Sequence, residues 1–307
     1  MILFCGIPSE PPLAMVRAEL AAMEVPVFCF NQRATLQTEL EFATGQDHVT
    51  GRLRVGANSL RLEDVAGVYT RMMDEQLVPE LRDEAPDSPQ RARAQAITIG
   101  LTNWMEIAPA RVVNRTSSMA SNGSKPFQAQ TIREHGFRVP ETLITNDQNE
   151  IAAFRARHEK VVFKSISGIR SIVRELGDDE MTRLDRVRVC PVQFQKKVEG
   201  FDVRVHVVGT ELFATRVQSE AADYRYAARD GPAATLTACE LDDETAQNCL
   251  RLTAALGLLF SGIDLRIGPD SQVWCFEVNT SPGFSYFESN TGQPIARAVA
   301  RLLAGEP

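Results

Sequence analysis

At the start of the chain two apolar runs frame a segment with a different period. Ile2-Leu3-Phe4-Cys5 and Val25-Pro-Val-Phe-Cys-Phe30 read as strands, and Leu13 to Met23 has the spacing of a helix. Strand, helix, strand is the opening of a parallel sheet. A further strand is expected at Gly67-Val-Tyr-Thr-Arg71, then a polar, proline-bearing run from Gln76 to Gln90 that reads as a lid or a solvated loop. A helix follows over about Arg91 to Ile107. Turn formers crowd Val112 to Ser124, which places a lobe boundary near residue 115. Beyond a helix at Lys125 to His135, strands (Arg138 to Thr145, Lys160 to Ile166, Cys190 to Gln195) alternate with a helix near Asn149 to His158. The last third reads as antiparallel strands, Phe201 to Val208, Glu211 to Gln218, Leu259 to Ile267 and Gln272 to Asn279. A helix near Glu244 to Leu256 lies among them, and another closes the chain from about Pro294 to Leu303.

Two of these strands alternate strictly enough to assign faces. Gly268-Pro-Asp-Ser271 is a strong turn signal, and pairing Gly268 with Ser271 sets Asp264 opposite Cys275. Asp264, Glu277 and Asn279 then share one face, with Ile263, Leu265, Trp274, Phe276 and Val278 on the other. Two carboxylates and an amide oxygen suit a hard cation such as magnesium, which takes oxygen ligands and completes its shell with water and phosphate. A solvated hairpin face has the same composition, so the pattern alone leaves both readings open. In Gly200-Phe-Asp-Val-Arg-Val-His-Val-Val-Gly209, Asp202, Arg204 and His206 face away from Val203, Val205 and Val207. Arg204 suits a phosphate or carboxylate and Asp202 a ribose hydroxyl, against the plainer reading of an ion pair on a solvated face. His206 is read as structural. Lys164 ends a strand and leads into Ser165-Ile-Ser-Gly-Ile-Arg-Ser171, a small-residue loop whose amides can approach a polyphosphate, although it is not a Walker loop.

Composition narrows the classes. The 307 residues are 44% hydrophobic and 24% charged, enough for two or three lobes with cores of their own, and the net charge of -7 argues against broad nucleic-acid binding. No basic leader and no stretch long enough for a bilayer is seen, which gives the expectation of a cytoplasmic protein with no membrane partner. Gly6-Ile-Pro-Ser lacks the glycines of a dinucleotide fingerprint. The six cysteines and four histidines are scattered, without zinc-ligand or Cys-His spacing, and read as buried thiols and structural rings. Arg71, Arg170 and Arg174 are candidates for an acidic substrate, set against surface arginines in ion pairs.

Taken in order, Lys125, Lys164 with its Gly168 loop, Val192-Gln-Phe-Gln195, Gly200-Phe-Asp-Val-Arg204, Asp223-Tyr-Arg225, Gly262-Ile-Asp264 and Phe276-Glu-Val-Asn-Thr-Ser-Pro-Gly283 resemble the RimK-like branch of the ATP-grasp superfamily, from about Val112 onward. The resemblance implies an ATP-grasp fold of mixed α/β and α+β class. An N-terminal α/β lobe (1–115) would precede a central α+β lobe (116–190) and a C-terminal α+β lobe (191–307), the last two enclosing the nucleotide. It also implies that Lys125 and Lys164, with Ser167 and Gly168, hold phosphates, and that Gln193, Phe194 and Gln195 form the adenine hinge with Asp202 near the ribose. Arg204 and Arg225 would face the reacting groups, and Asp264, Glu277 and Asn279 would bind Mg2+, or Mn2+ in its place. Two positions depart from the family: Phe194 or Gln195 stands where an acidic hinge residue is common, and Ala227 where an asparagine is.

The chemistry so implied is ATP-dependent activation of a carboxylate as an acyl phosphate, followed by capture by an amine. It needs positioning and charge neutralisation rather than a covalent nucleophile. Substrates would be small molecules or peptides, and a homo-oligomer is left open. The stretch Val139 to Asp147 is similar to the macrocycle-forming ligases of ribosomal peptides, which makes peptide modification the alternative. A nucleotide-binding regulator without turnover and a kinase are rivals from other classes. Release of phosphate with an amide product separates a ligase from a kinase, and tight ATP binding without turnover would mark the regulator.

Overall fold

The computed structural model describes residues 1–46, 48–166, 173–218 and 234–306. At the N-terminus β1 (Ile2–Gly6), α1 (Pro11–Ala22) and β2 (Val27–Asn31) form the expected strand–helix–strand unit. Prolines at the first two positions of α1 suit a helix start, where no backbone donor is needed. Then come β3 (Thr38–Thr44), β4 (Val49–Val55) and β5 (Asn58–Arg61), an antiparallel meander in a region given no element from the sequence. β6 (Gly67–Thr70), α2 (Pro89–Ile107) and β7 (Arg111–Val113) complete a four-stranded parallel sheet in the order β2-β1-β6-β7. The Gln76 to Gln90 run is not an open loop throughout, since Val78 and Leu81 pack with Ala94 of α2.

Ser124 caps α3 (Lys125–Glu134) by accepting from the Phe127 amide. The central sheet follows, with β8 (Thr142–Thr145), α4 (Gln148–Arg157), β9 (Val161–Ser165), β10 (Arg174–Glu175) and β11 (Val192–Lys196), antiparallel in the order β10-β9-β11-β8. β11 lies beyond the limit expected at residue 190, yet it is hydrogen-bonded between β9 and β8, so this sheet runs on to Lys196. Its core, Ile151, Phe154, Val161, Leu176 and Phe194, is its own.

The C-terminal sheet is antiparallel in the order β14-β13-β12-β15-β16, from β12 (Phe201–Val208), β13 (Glu211–Gln218), β14 (Thr235–Cys239), β15 (Phe260–Ile267) and β16 (Val273–Asn279). Asp242 caps α5 (Asp243–Ala255) through the Thr245 amide at 2.9 Å. Val203, Val205 and Val207 of β12 pack with Cys249 and Leu252 of α5 and Ile132 of α3, which fixes the opposite face of the sheet as the polar one. The chain ends with α6 (Ser285–Thr291) and α7 (Ile295–Ala304). Ile295, Val299 and Leu303 of α7 share one core with Ile2, Phe4, Leu13 and Val16, so the N-terminal unit and the C-terminal sheet are packed as one body. No helix among the described residues is long and apolar enough to cross a membrane.

Candidate active site

The β15–β16 hairpin does not have the expected register. Gly268 closes the turn with Gln272, its amide donating to the Gln272 carbonyl at 2.9 Å, and Ser271 takes a left-handed φ of 59° inside a three-residue loop. Leu265 therefore faces Cys275, and Cys275 rather than Trp274 or Phe276 enters the core beside Ile263, Leu265 and Val278. A bulge between Asp264 and Leu265 then shifts the pairing by one more residue, and Asp264 lies opposite Glu277 while Gly262 lies opposite Asn279. The two departures restore parity, so Asp264, Glu277 and Asn279 share a face as expected, with the two carboxylates closer partners than the simple hairpin allowed. Phe276 is left half-buried on the polar side with the Arg266 guanidinium 5.3 Å from its ring centre.

Beside them the polar side of β12 follows the expected alternation. Asp202 faces Arg266, Arg204 faces Asp264 and His206 faces Gly262 across the strand pair. Arg204 is 6% exposed and Nη1 donates to Asp264 Oδ1 at 2.7 Å; its guanidinium lies 5.7 Å from the Phe287 ring centre. Asn279 Nδ2 donates to the other Asp264 oxygen at 3.2 Å. Lys125, at the start of α3, sits 3.3 Å from Glu277 Oε2 and donates to Asn122 Oδ1 at 2.9 Å. Each carboxylate thus has a cation at hand, Arg204 for Asp264 and Lys125 for Glu277, and charge that would otherwise repel across the strand pair is compensated.

His206 is fully buried, its ring 5.0 Å from that of Phe287, with Arg204 Nε donating to its Nε2 at 3.5 Å. Burial, and after it the Arg204 charge, hold its pKa well below the usual 6.5, so the ring is neutral and serves as a support for Arg204.

The central sheet contributes its own polar face. Lys164 on β9 lies opposite Gln193 on β11, which in turn lies opposite Ile144 on β8. Gln193 is buried, and Gln195 on the same face donates to Thr142 Oγ1 at 3.0 Å. Phe194 points the other way, into the lobe's core against Phe163, so its side chain is not turned to the Lys164 face. Asp202 is held by Arg266 through two oxygens, at 2.7 and 2.8 Å. Ser167, Gly168, Arg170, Arg225 and Ala227 lie outside the described residues.

Two carboxylates and an amide on one sheet face could serve as hard oxygen ligands for a cation that brings further ligands with it. The described residues contain no cluster of three or more His, Cys, Asp or Glu that could hold a metal ion. Asn279 turns its nitrogen to Asp264, and ligation through its oxygen requires the amide to turn over.

The RimK-like ATP-grasp domain matches residues 124–303, more than half of the chain. The chain belongs to the RimK-like ATP-grasp family. Among curated relatives, it is 24% identical over 204 residues to a probable alpha-L-glutamate ligase of Rhodopirellula baltica. That match covers 63% of this chain and 50% of the relative, so the RimK-like chain spans about half the relative's length. The crystal structure of macrocyclase MdnC bound with precursor peptide MdnA, from Microcystis aeruginosa, superposes with a TM-score of 0.83 over 100% of both chains at 20% identity. The ATP-grasp ligase PsnB, solved with minimal precursor, Mg and ADP, gives 0.78 at 25% identity over 99% of this chain and 96% of that one. The ATP-grasp fold expected from the resemblance is therefore the fold of this RimK-like chain.

Several residues of this RimK-like site have no place in the sequence expectation. Arg266 lies two positions after Asp264 and was legible from the same alternation. Gln128, Asn114 and the contacts of Arg71 reach the site from other elements, and no local pattern marks them. Arg71 is not a surface arginine: Nε and Nη2 grip Glu10 Oε1 at 2.8 and 2.7 Å, and Nη1 donates to Ser281 Oγ and the Pro282 carbonyl at 3.2 and 3.0 Å. Arg174 is exposed on β10.

Proposed function

We propose that the protein is an ATP- and magnesium-dependent carboxylate–amine ligase, with manganese as a substitute ion. The observation that carries this reading is the convergence of Asp264, Glu277 and Asn279 with Arg204 and Lys125 on one sheet face of a RimK-like ATP-grasp chain. In this reading the chain divides into an N-terminal lobe, a central lobe extended to about Lys196, and a C-terminal lobe, and ATP lies between the last two. Lys164 and Lys125, with Ser167 and Gly168, take the phosphates. Gln193 to Gln195 form the adenine hinge through backbone and glutamine groups, and Asp202, oriented by Arg266, serves the ribose.

Asp264, Glu277 and Asn279 would hold the metal, which would supply positive charge against the negative charge developing on the phosphoryl group. A substrate carboxylate oxygen attacks the γ-phosphorus while the bond to the β-phosphate oxygen breaks, giving ADP and an acyl phosphate. An amine then attacks the acyl carbon, phosphate leaves and the amine gives up a proton. Arg204, supported by neutral His206, and Arg225 are assigned to the phosphoryl and acyl oxygens, where fixed cations stabilise the developing charge. No cysteine or histidine is needed as nucleophile. Cys275 and Cys249 are buried, and burial raises both thiols.

A second reading concerns the substrate. PsnB, solved with a minimal precursor, superposes on this chain with a TM-score of 0.78 at 25% identity, which supports a peptide as carboxylate or amine, as in a macrocyclising ligase. Glu277→Gln tests the reading common to both. It keeps size and hydrogen bonding while removing the charge, and is expected to lower ATP turnover at least a thousandfold with an unchanged circular dichroism spectrum. Unaltered turnover would remove Glu277 from the metal site.

A further inference from the structure

β16 is an edge strand, since the sheet order ends β12-β15-β16. Its outer backbone groups would be exposed in an ordinary hairpin, and an unpaired edge is free to slip or twist. Here other parts of the chain occupy that edge at alternate residues. On the turn side of the bulge the Arg138 backbone does so, its N–H donating to the Val273 carbonyl at 3.2 Å and its carbonyl accepting from the Cys275 N–H at 2.8 Å. Past the bulge the outward-facing residues become even-numbered, and side chains take over. Gln128 of α3 donates to the Val278 carbonyl at 2.8 Å and accepts from the Val278 amide at 2.9 Å. Asn114, just after β7, donates to the carbonyls of Thr280 at 2.7 Å and Phe260 at 2.6 Å, and accepts from the Leu259 amide at 2.9 Å. Arg71, just after β6, donates to the Pro282 carbonyl at 3.0 Å.

We infer that Gln128, Asn114 and Arg71 form a clamp whose role is to position Glu277 and Asn279 for the metal. The clamped residues 278, 280 and 282 alternate with 277, 279 and 281. Each grip on an outward carbonyl therefore sets the angle at which the neighbouring ligand side chain leaves the opposite side. Gln128 and Asn114 are 1% and 4% exposed. A planar amide that both donates and accepts cannot be replaced there by an apolar side chain without leaving backbone groups unpaired. Arg71 adds a connection that the other two lack, because its remaining nitrogens are held by Glu10 in the loop after β1. The N-terminal lobe is thereby joined through one guanidinium to the turn that follows the metal-bearing strand.

This inference rests on the metal reading of Asp264, Glu277 and Asn279. The test measures binding of a fluorescent ADP analogue, N-methylanthraniloyl-ADP, to the full chain as magnesium is titrated. Gln128→Met preserves volume and removes both hydrogen bonds. Arg71→Gln is the second variant, in case the first is poorly folded. Phe154→Leu, in the separate core of the central lobe, is the control for simple loss of stability. Both clamp variants are expected to raise the magnesium concentration for half-maximal binding about tenfold, the usual order for a lost support behind a metal ligand, with binding in the absence of magnesium unchanged. Phe154→Leu is expected to lower the melting temperature without moving that concentration. If the clamp variants lose stability but keep the wild-type magnesium dependence, the clamp is overturned and the metal site stands. If the wild-type protein binds the analogue with no magnesium dependence, the metal reading fails and the clamp with it.

Discussion

Arg204 and His206 show how single side chains set the chemistry of this face. A guanidinium as buried as Arg204 is tolerable because Asp264 neutralises it, the imidazole accepts from it and the Phe287 ring lies against it. Removing one member of such a pair leaves an uncompensated charge at a cost of about 3 to 5 kcal/mol. The depressed pKa of His206 has a consequence for stability. In the unfolded chain the imidazole takes up a proton near its ordinary value of 6.5, whereas in the folded protein burial and Arg204 oppose this. The unfolded state therefore binds more protons below about pH 6.5, and stability that is fully present above that value is lost as pH falls toward the folded pKa. Calorimetry is expected to show the melting temperature falling from about pH 7.5 to about pH 5.5, with a shallower slope in His206→Gln. Equal slopes would mean that His206 does not titrate on unfolding.

The β15–β16 hairpin carries the main lesson at the scale of elements. Its polar face was legible because strand parity survives, but the register was not. A two-residue turn and the three-residue turn with Ser271 in the left-handed region are both compatible with Gly-Pro-Asp-Ser, and the bulge after Asp264 has no local sequence mark. The valines of β12 fixed their faces unaided. The β3–β5 meander is legible in its alternation. Leu40 and Phe42 alternate with Glu39 and Glu41, and Leu53 and Val55 with Arg52 and Arg54, the period of two residues that marks a half-buried strand. Gly262 is another element-level constraint. A Cβ there would overlap the Arg204 guanidinium and stand 2.7 Å from both Arg204 Cζ and Pro282 Cβ. Gly262→Ala is therefore expected to displace Arg204 from Asp264 and lower ATP turnover about a hundredfold, the order seen when one fixed transition-state donor is lost. Steady-state ADP release measures this, and unchanged turnover would show that Arg204 need not lie against Asp264.

Across the whole molecule, the arrangement of cores explains why the candidate site forms where it does. The N-terminal unit and the C-terminal sheet share one apolar core, while the central sheet keeps another, so the Lys164 face and the Asp264 face belong to separately packed sheets. Chain length pointed to two or three lobes and the family resemblance to three, but neither to the fusion of the first and last, because the contacts between α1 and α7 join segments far apart in the chain. Nor does it name the molecules joined, since the substrate is recognised by surfaces and not by the activation chemistry that the family shares. The central claim is activation of a carboxylate by ATP, and its most direct measurement follows a heavy oxygen. The protein is incubated with ATP, magnesium and a panel of glutamate-containing peptides and free amino acids whose carboxylates carry heavy oxygen. Phosphate and products are then weighed by mass spectrometry. The account predicts ADP, phosphate that has gained one heavy oxygen from the carboxylate, and an amide product lighter than its labelled precursors by one water whose oxygen is the heavy one. ADP formed with unlabelled phosphate and no amide, or a phosphorylated product in place of an amide, would contradict it.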